Sequence, residues 1–214
     1  MDEIKGLIYD LDGTVIKTTK LHELAWLYAG KKFGIYISDK MLLNQRGIPN
    51  EAAAEFILPY DKKDLTKKFV AAKVEYVMEN VKQITLFPGI LRVIAQLLQN
   101  DYKVWICTSA HKYFVSEVLN NFNELDIMIK NHCVWRKMYG EGKPSPKALN
   151  VTLRKMGLTN LLTCYIGDAF SDYQTSINAK VKFIYFCPNL AERDLRIPKL
   201  IPIISSHEEI WRRL

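Results

Sequence analysis

Asp10-Leu11-Asp12-Gly13-Thr14 follows an apolar run, Gly6-Leu7-Ile8-Tyr9. The run reads as a short buried strand. Carboxylates at i and i+2 of an extended backbone point to the same side. Two acids held that close repel unless a cation or a shared proton is present. A hard divalent cation with oxygen ligands resolves the repulsion. Core packing asks for no aspartate pair at a strand tip. Taken alone, the pentapeptide also reads as turn chemistry, because Asp and Asp-Gly favour turns.

Three further clusters bear on that choice. Lys103-Val104-Trp105-Ile106-Cys107-Thr108-Ser109-Ala110 reads as a second buried strand ending in hydroxyls. Gly142-Lys143-Pro144-Ser145-Pro146 puts a lysine in a loop stiffened by proline. Tyr165-Ile166-Gly167-Asp168-Ala169-Phe170-Ser171-Asp172 is a strand that breaks at glycine and carries two more acids. Asp172 lies one helical turn beyond Asp168, so both carboxylates reach one region. Each cluster has a plainer alternative. Thr108 can cap the next helix, Asp172 can answer a helix dipole, and Lys143 can be a surface lysine.

The elements that position these groups alternate. Strands are expected at 4–10, 102–108, 163–167 and 182–187, with a short strand or loop near 131–135. Helices are expected at 88–100, 111–122, 146–156 and 171–179. Pro88-Gly89 is expected to open the first helix, Ser145-Pro146 the third, and Gly157 to end the third. Such alternation implies a parallel sheet wrapped by helices. The segment from Val15 to about Thr85 interrupts it with helical spacing alone. Leu21, Leu24, Ala25 and Tyr28 follow helical spacing, as do Ala52, Ala53, Phe56 and Ile57, and Phe69, Lys73, Tyr76 and Val77 suggest another helix. A helical insertion directly after the first strand reads as a separate domain. The expected division is a core of residues 1–15 and 86–214 and a helical cap of 16–85.

In order and spacing, the four clusters resemble the motifs of the haloacid dehalogenase superfamily, within its phosphoglycolate phosphatase and beta-phosphoglucomutase-like group. That resemblance covers most of the chain. It implies an α/β, Rossmann-like parallel sheet with a small all-helical cap of the first class. It also implies an Mg2+-dependent phosphatase working through a phosphoaspartate. By this resemblance Asp10 is the nucleophile and Asp12 the general acid and base. Lys143 neutralises charge, and Thr108 and Ser109 hold phosphate oxygens. The metal set is Asp10, Asp12 through its main-chain carbonyl, Asp168, and Asp172 either directly or by orienting another ligand. His22, with Ala25-Trp26 downstream, matches the place of a cap histidine in similar mutases. It is read as a substrate-side residue or as a partly buried helix-face histidine. Arg46 and Asn50 flank Gly47 in a turn that can face the site, and Lys112 is a weaker phosphate-side candidate.

The chain also departs from its group. Similar mutases carry arginine where Asn50 stands. Many phosphoglycolate phosphatases carry an acid where Lys17 stands, and many relatives carry serine where Ala169 stands. The missing arginine at Asn50 counts against a mutase; neither Lys17 nor Ala169 removes a group from the core chemistry, and both bear on the substrate.

Bulk properties narrow the field. A chain of 214 residues buries one sizeable core with room for a smaller module. No apolar stretch is long enough to span a bilayer. The charged start, Met1 to Lys5, sets the expectation of no signal peptide. Cys107, Cys133, Cys164 and Cys187 form no CxxC pair, which points to reduced thiols and a cytoplasmic setting. The net charge is +7, spread over helical faces in lysine pairs, so an anionic small molecule is favoured over nucleic acid. The expected partner is a small phosphorylated metabolite, with no nucleic acid or membrane, for a monomer or weak homodimer. A phosphosugar mutase and a non-catalytic phosphate-binding module are the alternatives, with dehalogenation a minor fourth.

Overall fold

The computed structural model describes residues 3–214. The charged start at Met1 and Asp2 lies outside the described residues. Six strands form one sheet: β1 (Gly6–Tyr9), β2 (Lys103–Cys107), β3 (Cys133–Val134), β4 (Thr163–Gly167), β5 (Lys182–Phe186) and β6 (Ile203–Ile204). Their spatial order is β3-β2-β1-β4-β5-β6, and every pairing is parallel.

Strands of such a sheet are covered on both faces and therefore read as continuous apolar runs. Leu7 and Tyr9 of β1 pack with Val104, Ile106, Ile166 and Ile184 on one face. Ile8 packs with Trp105, Tyr165 and Phe183 on the other. Helices α5 (Ile90–Gln99), α6 (Lys112–Asn121) and α7 (Asn123–Ile129) cover the first face. Helices α8 (Lys147–Met156) and α9 (Phe170–Ala179) cover the second. Gly157 closes α8 in the left-handed conformation, as expected. Pro88 stands outside α5, whose N-cap is Gly89 at φ 78°, so the expected first-turn role of Pro88 is corrected.

The helical insertion holds α1 (Thr19–Phe33), α2 (Asp39–Asn44), α3 (Asn50–Ile57) and α4 (Thr66–Glu79). Trp26, Ala29, Leu42, Ala54, Ile57 and Phe69 form a core of their own within it. The buried face of α1 is Ala25, Trp26, Ala29 and Gly30. Leu24 and Tyr28, expected inside, are 40% and 37% exposed. Small residues on α1 allow α4 to pack closely, with Trp26 stacked on Phe69 between the two helices, and the packed face lies to one side of Leu24 and Tyr28. The two chain crossings between sheet and insertion run side by side: the Lys17 amide donates to the Thr85 carbonyl at 2.8 Å, and Phe87 to Val15 at 3.0 Å.

Candidate active site

β1, β2 and β4 are adjacent, so their carboxyl ends deliver Asp10, Thr108 and Asp168 to one place. Ligands of open parallel sheets bind at this edge. Gly13 makes the approach possible. Its φ is 77°, and a Cβ there would run into the Asp168 carboxylate. Thr14 donates to Asp168 Oδ1 at 3.1 Å.

Lys143 joins the acids. Its Nζ lies 2.6 Å from Asp10 Oδ1 and 2.6 Å from Asp172 Oδ1. All three side chains are almost wholly buried. Burial opposes the lysine charge, but the two carboxylates outweigh it and hold its pKa well above the ordinary value. Asp172 is fully engaged by the protein. Its Oδ1 also accepts from Tyr165 Oη at 2.7 Å, and its Oδ2 from the Ala169 amide at 3.0 Å.

Carboxylate oxygens of Asp10, Asp168 and Asp172 lie within 4.8 Å of one another. Burial raises Asp10 well above the carboxylate range, Lys143 pulls it down, and the neighbouring acids push it up again. Asp168 is pushed up to about 7 by burial and then by Asp172. Crowded acids whose charged forms are opposed by burial and by one another fit a hard divalent cation, which would relieve both.

Asp12 faces the insertion. Its Oδ1 accepts from Thr18 Oγ1 at 2.8 Å and meets His22 Nε2 at 2.9 Å. Burial would raise its pKa, but the His22 and Thr18 bonds outweigh it and hold Asp12 below the ordinary value. The other His22 nitrogen, Nδ1, lies 3.0 Å from Lys73 Nζ, which also donates to Asn50 Oδ1 at 2.9 Å. Burial lowers the His22 pKa, and the Lys73 charge lowers it further. A neutral ring satisfies both partners: Nδ1 accepts from the ammonium and Nε2–H donates to Asp12. Burial also brings Lys73 down to about 8.

The structure therefore brings Asp10, Asp12, Lys143, Asp168 and Asp172 together, with Thr108 and Ser109 at the same cleft. Thr108 Oγ1 accepts from the Ala110 amide at 3.0 Å, so it does shape the turn before α6. Ser109 Oγ donates to the Gly47 carbonyl at 3.0 Å. His22 lines the cleft with both ring nitrogens already partnered. Lys112 points away, its ammonium 5.5 Å over the Trp135 ring. The helical spacing of Phe69, Lys73, Tyr76 and Val77 marks a helix but not the part Lys73 plays beside His22. A lysine in a core-facing register was the signal for its role.

The cleft measures about 510 Å³. A 117-residue stretch is 29% identical to beta-phosphoglucomutase of Bacillus subtilis, covering 50% of this chain and 51% of that one. The chain thus spans about half the length of that relative. Pyrophosphatase PpaX of Oceanobacillus iheyensis is 22% identical over 184 residues, 84% of this chain and 81% of the relative. The fold of a putative phosphoglycolate phosphatase from Lactobacillus plantarum superposes with a TM-score of 0.82 at 20% identity, covering 100% of both chains. The family model described as haloacid dehalogenase-like hydrolase matches residues 7–186. On that match, together with the acid–lysine cluster at the strand ends, the chain belongs to the haloacid dehalogenase-like hydrolase family.

Proposed function

We propose that this chain is an Mg2+-dependent phosphatase that hydrolyses a small phosphorylated metabolite through a phosphoaspartate. The observation that carries the reading is the asymmetry between two neighbouring acids. Asp10 sits against Lys143 among the other acids, while Asp12 is held apart by Thr18 and His22. One carboxylate is placed to attack and the other to move protons.

In the first step Asp10 attacks phosphorus, and the bond from phosphorus to the ester oxygen breaks. Asp12, a carboxylate in the free protein, takes a proton from the entering phosphate monoanion and gives it to the leaving oxygen. In the second step Asp12 takes a proton from water as that water attacks the phosphoaspartate. Inorganic phosphate leaves and Asp10 is restored. Lys143 balances charge on the nucleophile and the transferring group. Thr108 and the Ser109 amide would hold its oxygens. Asp10, Asp168 and the Asp12 main-chain carbonyl would hold Mg2+, with Asp172 engaged instead in holding Lys143. When bound, the ion supplies charge neutralisation for the approach of two anions.

Residues 16–85 serve as the cap and residues 1–15 with 86–214 as the core in this reading. The protein works as a cytoplasmic monomer or weak homodimer. The four cysteines are unpaired and buried, which suits a reducing compartment.

A phosphosugar mutase is the second reading, favoured by the match to beta-phosphoglucomutase and by His22 with Ala25-Trp26. Asn50, bonded to Lys73, stands where similar mutases carry arginine and weighs against it. The test is release of free phosphate from a chromogenic phosphate ester, with and without magnesium. No turnover from folded protein in either condition rejects the proposal. Conversion of a hexose 1-phosphate to its isomer, without free phosphate, selects the mutase.

A further inference from the structure

The cleft has two chemically different ends. At the strand ends lie the acids and Lys143. Toward the insertion, one side of α4 presents Val70, Ala71, Val74 and Met78 to the cleft. These positions are i, i+1, i+4 and i+8, one continuous stripe of a helix. From the core, Tyr113 and Phe114 at the start of α6 line the same space. Val74 is 36% exposed and Tyr113 65% exposed. An apolar wall open to water inside a working cleft is a surface awaiting a ligand.

Three polar side chains near this wall are already committed, while Lys67, one turn before Val70 and Ala71 on the same helix side, and Lys137 also line the cleft. Lys73 is held by His22 and Asn50, and Arg46 by Glu23 at 2.7 Å. Gln45 Oε1 accepts from Trp26 at 2.8 Å, and its amide donates to the Leu42 carbonyl at 2.8 Å. A polyol pressed against Val74 and Met78 would lose water from its hydroxyls and gain few partners. An apolar ring or chain would lose nothing there and would cover the stripe.

We infer that the cap selects phosphate monoesters whose leaving group carries an apolar body, seated between the α4 stripe and Tyr113–Phe114, over esters of uncharged polyols. The inference rests on the phosphatase reading and names its substrate class. Val74 is its specificity-determining residue, since it lies mid-stripe and has no other partner to satisfy.

The experiment compares kcat/KM for benzyl phosphate and glycerol 3-phosphate with magnesium. Both leaving groups are primary alcohols of similar acidity, so bond-breaking chemistry does not set the ratio. The wild type is expected to favour benzyl phosphate by about tenfold or more, the scale of a hydrophobic pocket's discrimination. Val74→Asp should bring the ratio near one, and Val74→Leu should keep it. Val74 is a partly exposed helix position, and unfolding by circular dichroism checks that each variant is folded. Equal or better use of glycerol 3-phosphate by the wild type overturns the inference and leaves the phosphatase standing. An unchanged ratio in folded Val74→Asp also overturns it. No hydrolysis of either ester, or of 4-nitrophenyl phosphate, overturns the phosphatase reading and this inference with it.

Discussion

Asp172 Oδ1 lies 2.6 Å from Lys143 Nζ, and neither side chain is exposed to solvent. A buried lysine left without that carboxylate would lose one of the two charges that keep it protonated. Asp172 thus acts on the reaction through Lys143. Asp172→Asn is expected to lower kcat by roughly 10–100-fold, the usual effect of a supporting residue behind a reacting group. The magnesium concentration for half-maximal rate should move less than it does in Asp168→Ala. A larger shift in Asp172→Asn than in Asp168→Ala, read from magnesium titrations of rate, would put Asp172 directly on the cation.

Asp10→Asn removes the attacking carboxylate and keeps its shape. Turnover should fall by far more than the ~10²–10⁴-fold typical of an acid–base residue. Activity within about tenfold of wild type, less than 1.4 kcal/mol of barrier, would show that Asp10 is not the nucleophile.

His22 bridges Asp12 and Lys73, so its loss should affect proton transfer to every leaving group. His22→Ala is expected to lower kcat on all esters tested, by about 10²-fold or more, with substrate ranking preserved. A changed ranking at nearly constant rate on a small ester would instead assign His22 to substrate contact. Lys73→Met should reproduce the effect in part, because the ammonium fixes which ring nitrogen carries the proton.

Much of this arrangement was legible in the sequence because its parts are local. Asp10, Asp12 and Asp168 stand just beyond strand ends and Asp172 in the first turn of α9, where a break after an apolar run marks the site edge. What escaped notice depends on long-range packing. Lys73 lies 51 positions from the His22 it meets, and helical spacing marks only that it stands on a helix. Tyr165 reads as strand filler, yet its hydroxyl reaches Asp172. The orientation of α1 was misread for a related reason. Its bulky residues fit a helical period, but Ala25, Ala29 and Gly30 form the face that packs. Helix α7 and strand β6 are too short for periodicity to mark.

His207 is wholly buried, stacked on Phe186 with ring centroids 4.3 Å apart. Its Nε2 donates to the Thr14 carbonyl at 3.0 Å. Burial takes its pKa from 6.5 down to about 4. The unfolded chain therefore binds a proton below about pH 6.5 that the folded chain refuses. This contribution to stability is flat above pH 6.5 and is lost as pH falls toward 4, to an extent of about 3 kcal/mol. His207→Phe should be less stable at pH 7, by about 1 kcal/mol for the lost hydrogen bond. It should also lose less stability on acidification than wild type. Parallel pH profiles of urea unfolding for the two proteins would count against the buried neutral ring.

The Arg46-Gly47 turn is where the insertion presses on the sheet. Ser171 Oγ donates to the Arg46 carbonyl at 3.1 Å and Ser109 Oγ to the next one, Gly47, at 3.0 Å. Both serines neighbour site residues, Asp172 and Thr108. These contacts are made in this structure; opening of the cap, hinged at Val15–Thr18 and Thr85–Pro88, would break them, and closure would remake them and exclude bulk water during transfer. Gly47 has φ 73°, and a Cβ there would strike the Ser171 hydroxyl. Gly47→Ala thus carries both backbone strain and a clash in the closed form, together about 1–3 kcal/mol. If closure is part of turnover, kcat/KM should fall by roughly tenfold or more while the separately packed cap core stays folded. Adding Ser171→Ala removes the clash but not the strain, so the double variant should regain part of the loss. Wild-type kcat/KM in Gly47→Ala would show that this contact is not made on the catalytic path. A double variant worse than the single one would show that the two sites do not meet during turnover, since only groups in contact couple in this way.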